Sequence, residues 1–239
     1  MKANGNFAYD PSINHKIQGF IYKNLEGSFF EDLHNKKGAK YFCFSNIFPP
    51  KYIKQDEEVN LIISSPIREL IKIIYAKLRD KEIVNIGDYS FVLLDKKSFD
   101  IQLKEDRVRM YNSTPIVIRL LRDKFKFEGK YKYLYWRKGM DMKIFVDQLV
   151  NNIIKKYERF FGVKVEVDRV FELLKLRKET TVTLQVNGKN STIIGTYWEF
   201  ETFALDEESK KLLKFAIDTG FGEMNSLGFG FINPVKDEI

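Results

Sequence analysis

Two Gly-Phe-Gly units in residues 220–231, GFGEMNSLGFGF, form the stretch whose residue types and spacing most directly suggest chemistry. Glycine adopts backbone angles that are closed to other residues, and consecutive free N–H groups in such a loop can form a concave anion site. A helix-like run precedes the loop and an apolar strand-like run follows it. The pattern therefore favours a phosphate-binding loop over its alternative, a flexible hairpin connection.

The two histidines of the chain are its few candidates for proton transfer near neutral pH. His34 is followed by Lys36, Lys37 and Lys40, so an anion could approach it. The alternative is a structural cation at the C-terminal end of a helical turn, and the residues alone leave both interpretations open. His15 lies at the start of a predicted helix, where a capping or surface role is expected.

Metal and nucleotide signatures are missing from the sequence. The histidines are 19 residues apart, Cys43 is the single cysteine, and no Walker-type Gly-Lys-Ser is present. We therefore expect no cofactor, no metal and no disulfide. Phosphate chemistry without a metal needs an acid, a base and a cation from side chains. RNA offers such a route, because its 2′-hydroxyl can attack the adjacent phosphate.

Residues 119–143 combine nine basic with three acidic residues and six interleaved aromatic residues. Cations for phosphates beside rings for bases are typical of a nucleic-acid surface. The alternative is a solvated strand pair with one polar face and one core face. The candidate RNA-contacting side chains here are Arg119, Arg122, Lys124, Lys126, Lys130 and Lys132.

Composition limits the class of protein. The 239 residues suffice for one large domain or two of ordinary size, and 44% are hydrophobic, enough to fill real cores. The net charge of +7 permits a polyanionic partner without requiring one. No apolar run reaches the length of a membrane helix and no secretory signal follows Met1, so we expect a cytoplasmic protein with no membrane contact.

Hydrophobic periodicity predicts two successive units of mixed helices and strands. The predicted helices cover residues 13–25, 28–35, 66–79, 141–161 and 207–219. The predicted strands cover residues 41–48, 58–64, a pair within 83–103, 114–120, 163–177, 180–187, 192–205 and a last strand after the glycine loop. This order predicts an α+β fold of two tandem ferredoxin-like domains, residues 1–115 and 116–239.

These residues resemble the CRISPR repeat-cleaving endoribonucleases, the sixth CRISPR-associated protein family of the RAMP superfamily. The resemblance begins near residue 13 and rests on NHKIQGFIYKNL, DLHNKKGAKYFCFS, STPIVIR and GFGEMNSLGFGF, the last being similar to the RAMP signature loop. It implies two ferredoxin-like, RRM-type domains that cut precursor CRISPR RNA within each repeat. It also implies cleavage without metal, leaving a 5′-hydroxyl and a 2′,3′-cyclic phosphate.

The resemblance assigns roles to particular residues. Tyr22 matches the tyrosine that activates the 2′-hydroxyl, His34 the general acid–base, and Lys40 the cation that stabilises the transition state. It makes the glycine loop an RNA-backbone clamp in the second domain, with contacts expected from Gly220, Gly222, Asn225, Ser226, Gly228 and Gly230. One departure is that residues 1–12 show no clear first strand, so we expect either a truncated start or a degenerate strand in the first domain.

The partner implied by the resemblance is CRISPR repeat RNA, bound by a monomer or a homodimer. Subunits of a CRISPR effector complex are a further candidate partner. The alternative function is a non-cleaving RAMP subunit that binds RNA in such a complex, and a general RRM-like RNA-binding module is a third.

Overall fold

Two hydrophobic cores organise the chain. The structure is a computed structural model that describes residues 1–8, 12–48, 52–103, 107–167, 170–186, 189–203 and 205–235. The first core gathers buried side chains between Ala3 and Leu93, and the second gathers those between Val108 and Ile232. Side chains from one half of the sequence therefore pack mainly with one another.

The first half combines two helices with short strands. Its elements are β1 (Lys2–Ala3), α1 (Ile13–Lys23), the 3-10 turn η1 (Glu31–His34), β2 (Cys43–Phe44), β3 (Ile63–Ser64), α2 (Arg68–Lys77), β4 (Ile83–Ile86) and β5 (Tyr89–Val92). The strands form one sheet in the order β1-β5-β4 and a separate pair β2-β3. Helix α1 buries Ile13, Ile17 and Ile21, whose spacing puts them on one face.

The first strand is present but short. Lys2 and Ala3 pair with Val92 and Phe91 of β5, and Lys2 also bridges to Glu58 on its other side. A strand of only two residues agrees with the expectation of a degenerate first strand. Of the two residues of β1 only Ala3 is buried. The sequence therefore shows no alternation of polar and apolar residues from which this strand could be predicted.

The second half carries a four-stranded antiparallel sheet with two long helices. Its elements are β6 (Arg107–Asn112), β7 (Arg119–Leu121), the single-turn helix α3 (Arg122–Phe125), β8 (Tyr133–Tyr135), α4 (Met142–Phe161), β9 (Leu173–Val186), β10 (Lys189–Phe203), α5 (Glu207–Thr219), the 3-10 turn η2 (Asn225–Leu227) and β11 (Ile232–Val235). The sheet order is β11-β6-β10-β9, and β7 pairs with β8. Asp141 caps α4 by accepting from the backbone N–H of Lys143.

Three predicted strands differ in extent from the observed ones. The predicted strands over 163–177 and 180–187 are replaced by one strand, β9 (Leu173–Val186), which pairs along its length with β10. Residues 163–167 and 170–172 are not in a strand, and positions 168, 169 and 187 lie outside the described residues. The predicted strand over 114–120 is interrupted: Ile116 and Val117 make isolated bridges, and β7 begins at Arg119. Pairing with β10 keeps the polar residues of β9 within the strand. Local hydrophobicity alone does not predict a strand over these residues.

Strand β6 was not predicted, although its residues RVRMYN alternate between exposed and buried positions. It pairs with β10 and β11, both from the second half of the chain. A boundary at residue 115 would separate β6 from its own sheet. We therefore propose that the second domain begins before Arg107.

Within the described part of the chain, none of the helices combines the length and apolar character that crossing a membrane requires.

Candidate active site

Tyr22 and His34 lie side by side at the surface of the first half. Tyr22 stands on the last turn of α1 and His34 ends η1; their ring centroids are 4.9 Å apart, with the planes at 87°. Tyr22 is half-buried and also packs edge-on against Phe42, whereas His34 is exposed. Leu33 is buried and anchors η1 in the core. The packing thus fixes the tyrosine while the imidazole stays open to a ligand.

Lys40 joins this pair through the backbone. Its Nζ donates to the carbonyl oxygens of Leu33 at 2.7 Å and His34 at 3.0 Å. It also donates to the carbonyl oxygen of Lys36. Burial, and then the neighbouring charge of Lys36, lower the pKa of Lys40 below its ordinary value. Lys40 therefore caps the turn that carries His34, and its role as a cation for a transition state stays a prediction.

The hydroxyl of Tyr22 is set up as a hydrogen-bonding group. Burial raises the pKa of Tyr22 to about 12, and a side-chain hydrogen bond with Ser226 acts in the opposite direction. The phenol therefore keeps its proton at neutral pH. It can orient a substrate hydroxyl, but it does not provide a standing anionic base.

The glycines of the glycine loop face the interior of the protein. Gly220, Gly222, Gly228 and Gly230 are all buried and have positive φ. A Cβ on Gly222 would lie 2.6 Å from the carbonyl oxygen of Val117, and one on Gly230 would overlap the carbonyl oxygen of Phe221. The N–H of Gly230 donates to the carbonyl of Pro115 at 2.9 Å. These glycines serve close packing within the protein, which differs from the predicted anion cradle.

A lysine from α4 fills the inside of this loop. The Nζ of Lys156 lies 2.5 Å from the carbonyl oxygen of Gly220 and 3.2 Å from that of Gly222. It also lies 3.2 Å from Oδ1 of Asn225. On its inner side the loop thus turns carbonyl oxygens toward a basic side chain, and contact of the loop with RNA stays a prediction. Asn225, predicted to contact RNA, is engaged within the loop.

Lys156 was missed by the sequence analysis. It is only 8% exposed, and burial lowers its pKa to about 7. The signal was its place on α4 in register with Phe145, Leu149 and Ile153, which are the buried residues of that helix. A lysine on an apolar stripe needs acceptors when it is buried, and the glycine loop supplies them.

The loop also contacts α1 of the first half. Nε2 of Gln18 donates to the carbonyl oxygen of Ser226 at 2.7 Å. Gly228 lies against Phe44 and Asn14, where a Cβ would come within 2.7 and 2.9 Å of their side chains. The contact between Ser226 and Tyr22 belongs to this same junction. The loop therefore completes the surroundings of Tyr22.

The basic segment divides between core and surface. Among its aromatic residues, Trp136 is buried in the second core and Tyr131 is 80% exposed. Arg119 binds Glu223 through its Nε at 2.7 Å and lies over the ring of Tyr133. Arg122 is half-buried. The exposed basic side chains of the predicted set are Lys124, Lys126, Lys130 and Lys132. Some residues of the segment thus belong to the core, whereas others form an exposed basic surface. RNA contact at that surface stays a prediction.

Cys43 is fully buried, and burial raises the pKa of its thiol above the ordinary value, as expected for an inert structural cysteine. Over the residues that the structure describes, no three His, Cys, Asp or Glu side chains group closely enough to hold a metal ion.

Comparison with known proteins assigns the chain to a family. The family described as "CRISPR associated protein Cas6, C-terminal" matches residues 94–234. The chain belongs to the Cas6 family. A relative from Methanocaldococcus jannaschii, named CRISPR-associated endoribonuclease Cas6 2, is 36% identical to this Cas6-family chain, covering 96% of it and 95% of the relative. The resemblance noted in the sequence is thereby confirmed.

Other proteins extend the likeness over the same length. The CRISPR-associated endoribonuclease Cas6 of Haloferax mediterranei is 28% identical and matches 99% of this Cas6-family chain and 92% of its own. A solved structure titled "An RAMP protein binding different RNA substrates" superposes with a TM-score of 0.70 at 25% identity, covering 99% of this chain and 96% of that one. The mixed α/β architecture with antiparallel sheets is therefore shared by Cas6 and RAMP proteins.

Proposed function

We propose that this Cas6-family chain is a metal-independent endoribonuclease that cuts precursor CRISPR RNA within its repeats. The observation that carries the proposal is the contact between the rings of Tyr22 and His34, with Lys40 capping the turn beneath them. The chain's relatives are named CRISPR-associated endoribonucleases, which supports the choice of RNA as substrate. The expected partner is CRISPR repeat RNA; effector-complex subunits, a monomeric or dimeric state and a cytoplasmic location stay predictions.

The proposed chemistry uses the 2′-hydroxyl of the substrate as nucleophile. A bond forms between this oxygen and the adjacent phosphorus, and the bond from phosphorus to the 5′-oxygen breaks, leaving a 2′,3′-cyclic phosphate. The exposed imidazole of His34 accepts the proton of the 2′-hydroxyl and returns one to the leaving 5′-oxygen. The neutral hydroxyl of Tyr22 orients the nucleophile, and the ammonium of Lys40 offsets the charge that develops on phosphate.

The proposed fold behind this chemistry is a pair of ferredoxin-like domains. In the second half, β6, α4, β9, β10, α5 and β11 follow the βαββαβ pattern, with β7, α3 and β8 inserted between β6 and α4. Helices α4 and α5 connect strands of one antiparallel sheet. In the first half, β1-α1-β2-β3-α2-β5 follows the same order with shorter strands; β5 pairs with β1, and β4 is an added strand beside β5. The repeated order of elements supports the tandem arrangement.

Replacing Lys40 with methionine is expected to slow cleavage roughly 10²-fold, because the change removes both a cation and the cap of the turn that carries His34. The measurement is the single-turnover rate on labelled repeat RNA. Lys72→Met is the matched control, since Lys72 is an exposed lysine of α2 that pairs with Glu69. Equal rates for the two variants would refute a role for Lys40.

Chelation is expected to leave cleavage unchanged, because the proposed mechanism takes its acid, base and cation from side chains. Labelled repeat RNA is incubated with the protein in excess EDTA, and the product ends are mapped. A metal-dependent nuclease treated in parallel confirms that chelation is effective. Loss of activity that magnesium restores would overturn the mechanism, and binding without any cutting would favour the non-cleaving RNA-binding alternative.

A further inference from the structure

Lys156 is a buried basic group that the proposed cleavage chemistry does not use. A lysine ammonium has three N–H donors, and the structure offers its Nζ three acceptors, the carbonyl oxygens of Gly220 and Gly222 and Oδ1 of Asn225. All three acceptors belong to the glycine loop. The side chain therefore acts on the loop and is too deeply buried to meet a substrate.

Asn225, which contacts Lys156, is also hydrogen-bonded to both ends of the glycine loop. Its Nδ2 donates to the carbonyl oxygens of Phe221 at 3.1 Å and Phe229 at 3.0 Å. Its backbone carbonyl oxygen accepts from the N–H of Gly228 at 2.9 Å. The side chain of Asn225, which is hydrogen-bonded to Lys156, thus connects the start of the loop to its end. Asn225 is also the first residue of η2.

Ser226 follows Asn225 directly and faces the first half of the chain. Its carbonyl oxygen accepts from Nε2 of Gln18, one turn before Tyr22 on α1, and its side chain lies near enough to the hydroxyl of Tyr22 to lower the pKa of that phenol. A continuous series of contacts therefore leads from Lys156 through Asn225 and Ser226 to Tyr22. In this series only Tyr22 belongs to the proposed reacting groups.

We propose that Lys156 is a positioning residue for RNA cleavage, which holds the glycine loop so that Ser226 supports the hydroxyl of Tyr22. The inference rests on the proposed function and adds to it the reason why a loop of the second half is needed at a site in the first. Because the effect passes through Tyr22, loss of Lys156 impairs the cleavage step more than RNA binding.

The test begins with Lys156→Met, which keeps the apolar stem and removes the donors. Lys155→Met is the matched control, because Lys155 is the exposed neighbour on the same helix and has the same side chain. We expect single-turnover cleavage to fall roughly 10²-fold in Lys156→Met, the scale of a misplaced reacting group, and to stay at the wild-type rate in Lys155→Met. The affinity for repeat RNA should change by less than about threefold, well below the effect on the rate.

The double variant with Tyr22→Phe separates positioning from general damage. If Lys156 acts through Tyr22, then Lys156→Met adds little to the defect of Tyr22→Phe. Fully additive defects, or a normal rate in Lys156→Met, would overturn the inference. If the variant does not fold, Ser226→Ala leaves Lys156 in place and must show the same dependence on Tyr22. A wild-type protein that does not cut repeat RNA would instead refute the proposed function.

Discussion

Replacing His34 with alanine is expected to slow the cleavage of repeat RNA by roughly 10²–10⁴-fold, the usual contribution of a general acid–base group. The imidazole is exposed and lies against Tyr22, so the change removes the proton carrier without opening a cavity in the core. Affinity for the repeat should stay nearly unchanged, because we expect His34 to be one of many groups that contact the RNA. The measurement pairs single-turnover cleavage with a binding titration of the same RNA.

His15→Ala is the control for this prediction, because His15 is the other histidine of the chain. It lies on the first turn of α1, away from the last turn that carries Tyr22. We expect this variant to cut at the wild-type rate. Normal cleavage by His34→Ala would refute the assignment of the acid–base group, and an equal defect in both variants would point to a common loss of folding, which thermal unfolding would reveal.

Replacing Gly230 with alanine is expected to lower the free energy of unfolding by about 3 to 5 kcal/mol. Two costs combine. The residue has φ of +72°, where a side chain is strained, and its Cβ would overlap the carbonyl oxygen of Phe221. That carbonyl also accepts from Asn225, so the clash falls on the centre of the loop. Urea unfolding of the purified protein measures the change.

Gly162→Ala isolates the backbone part of this cost. Gly162 ends α4 with φ of +70°, nearly the same angle, but a Cβ there would meet nothing within 4 Å. We expect a loss of about 1 to 2 kcal/mol from strain alone. If the two variants lost the same free energy of unfolding, that result would contradict the close approach of Gly230 to the carbonyl oxygen of Phe221.

Long helices were the part of the fold that the sequence predicted best. The predicted helix over 141–161 is α4 (Met142–Phe161), and the helix over 207–219 is α5 (Glu207–Thr219). Each buries one apolar face, so its period is visible locally. Strands were harder, because β6 is short and is stabilised by β10 and β11, which are distant in sequence. Such pairing leaves little local trace.

The candidate site was predicted only in part. Residue types and spacing left His34 open, and only the resemblance singled out Tyr22, His34 and Lys40, which the structure brings together. The orientation of the glycine loop was not predictable, because a run of glycines does not tell whether N–H or carbonyl groups point to a ligand. Lys156 was missed because charged residues on a helix are usually solvated.

The junction between the glycine loop and α1 has a consequence for biosynthesis. Gln18 and Ser226 are hydrogen-bonded across 208 positions of the chain. At translation rates of about 5–20 residues per second, Ser226 is made about 10–40 s after Gln18. For that time the nascent chain displays Tyr22 and His34 without the support of the loop. On the proposed mechanism, the surroundings of Tyr22 are therefore complete only once residues 220–231 have emerged from the ribosome.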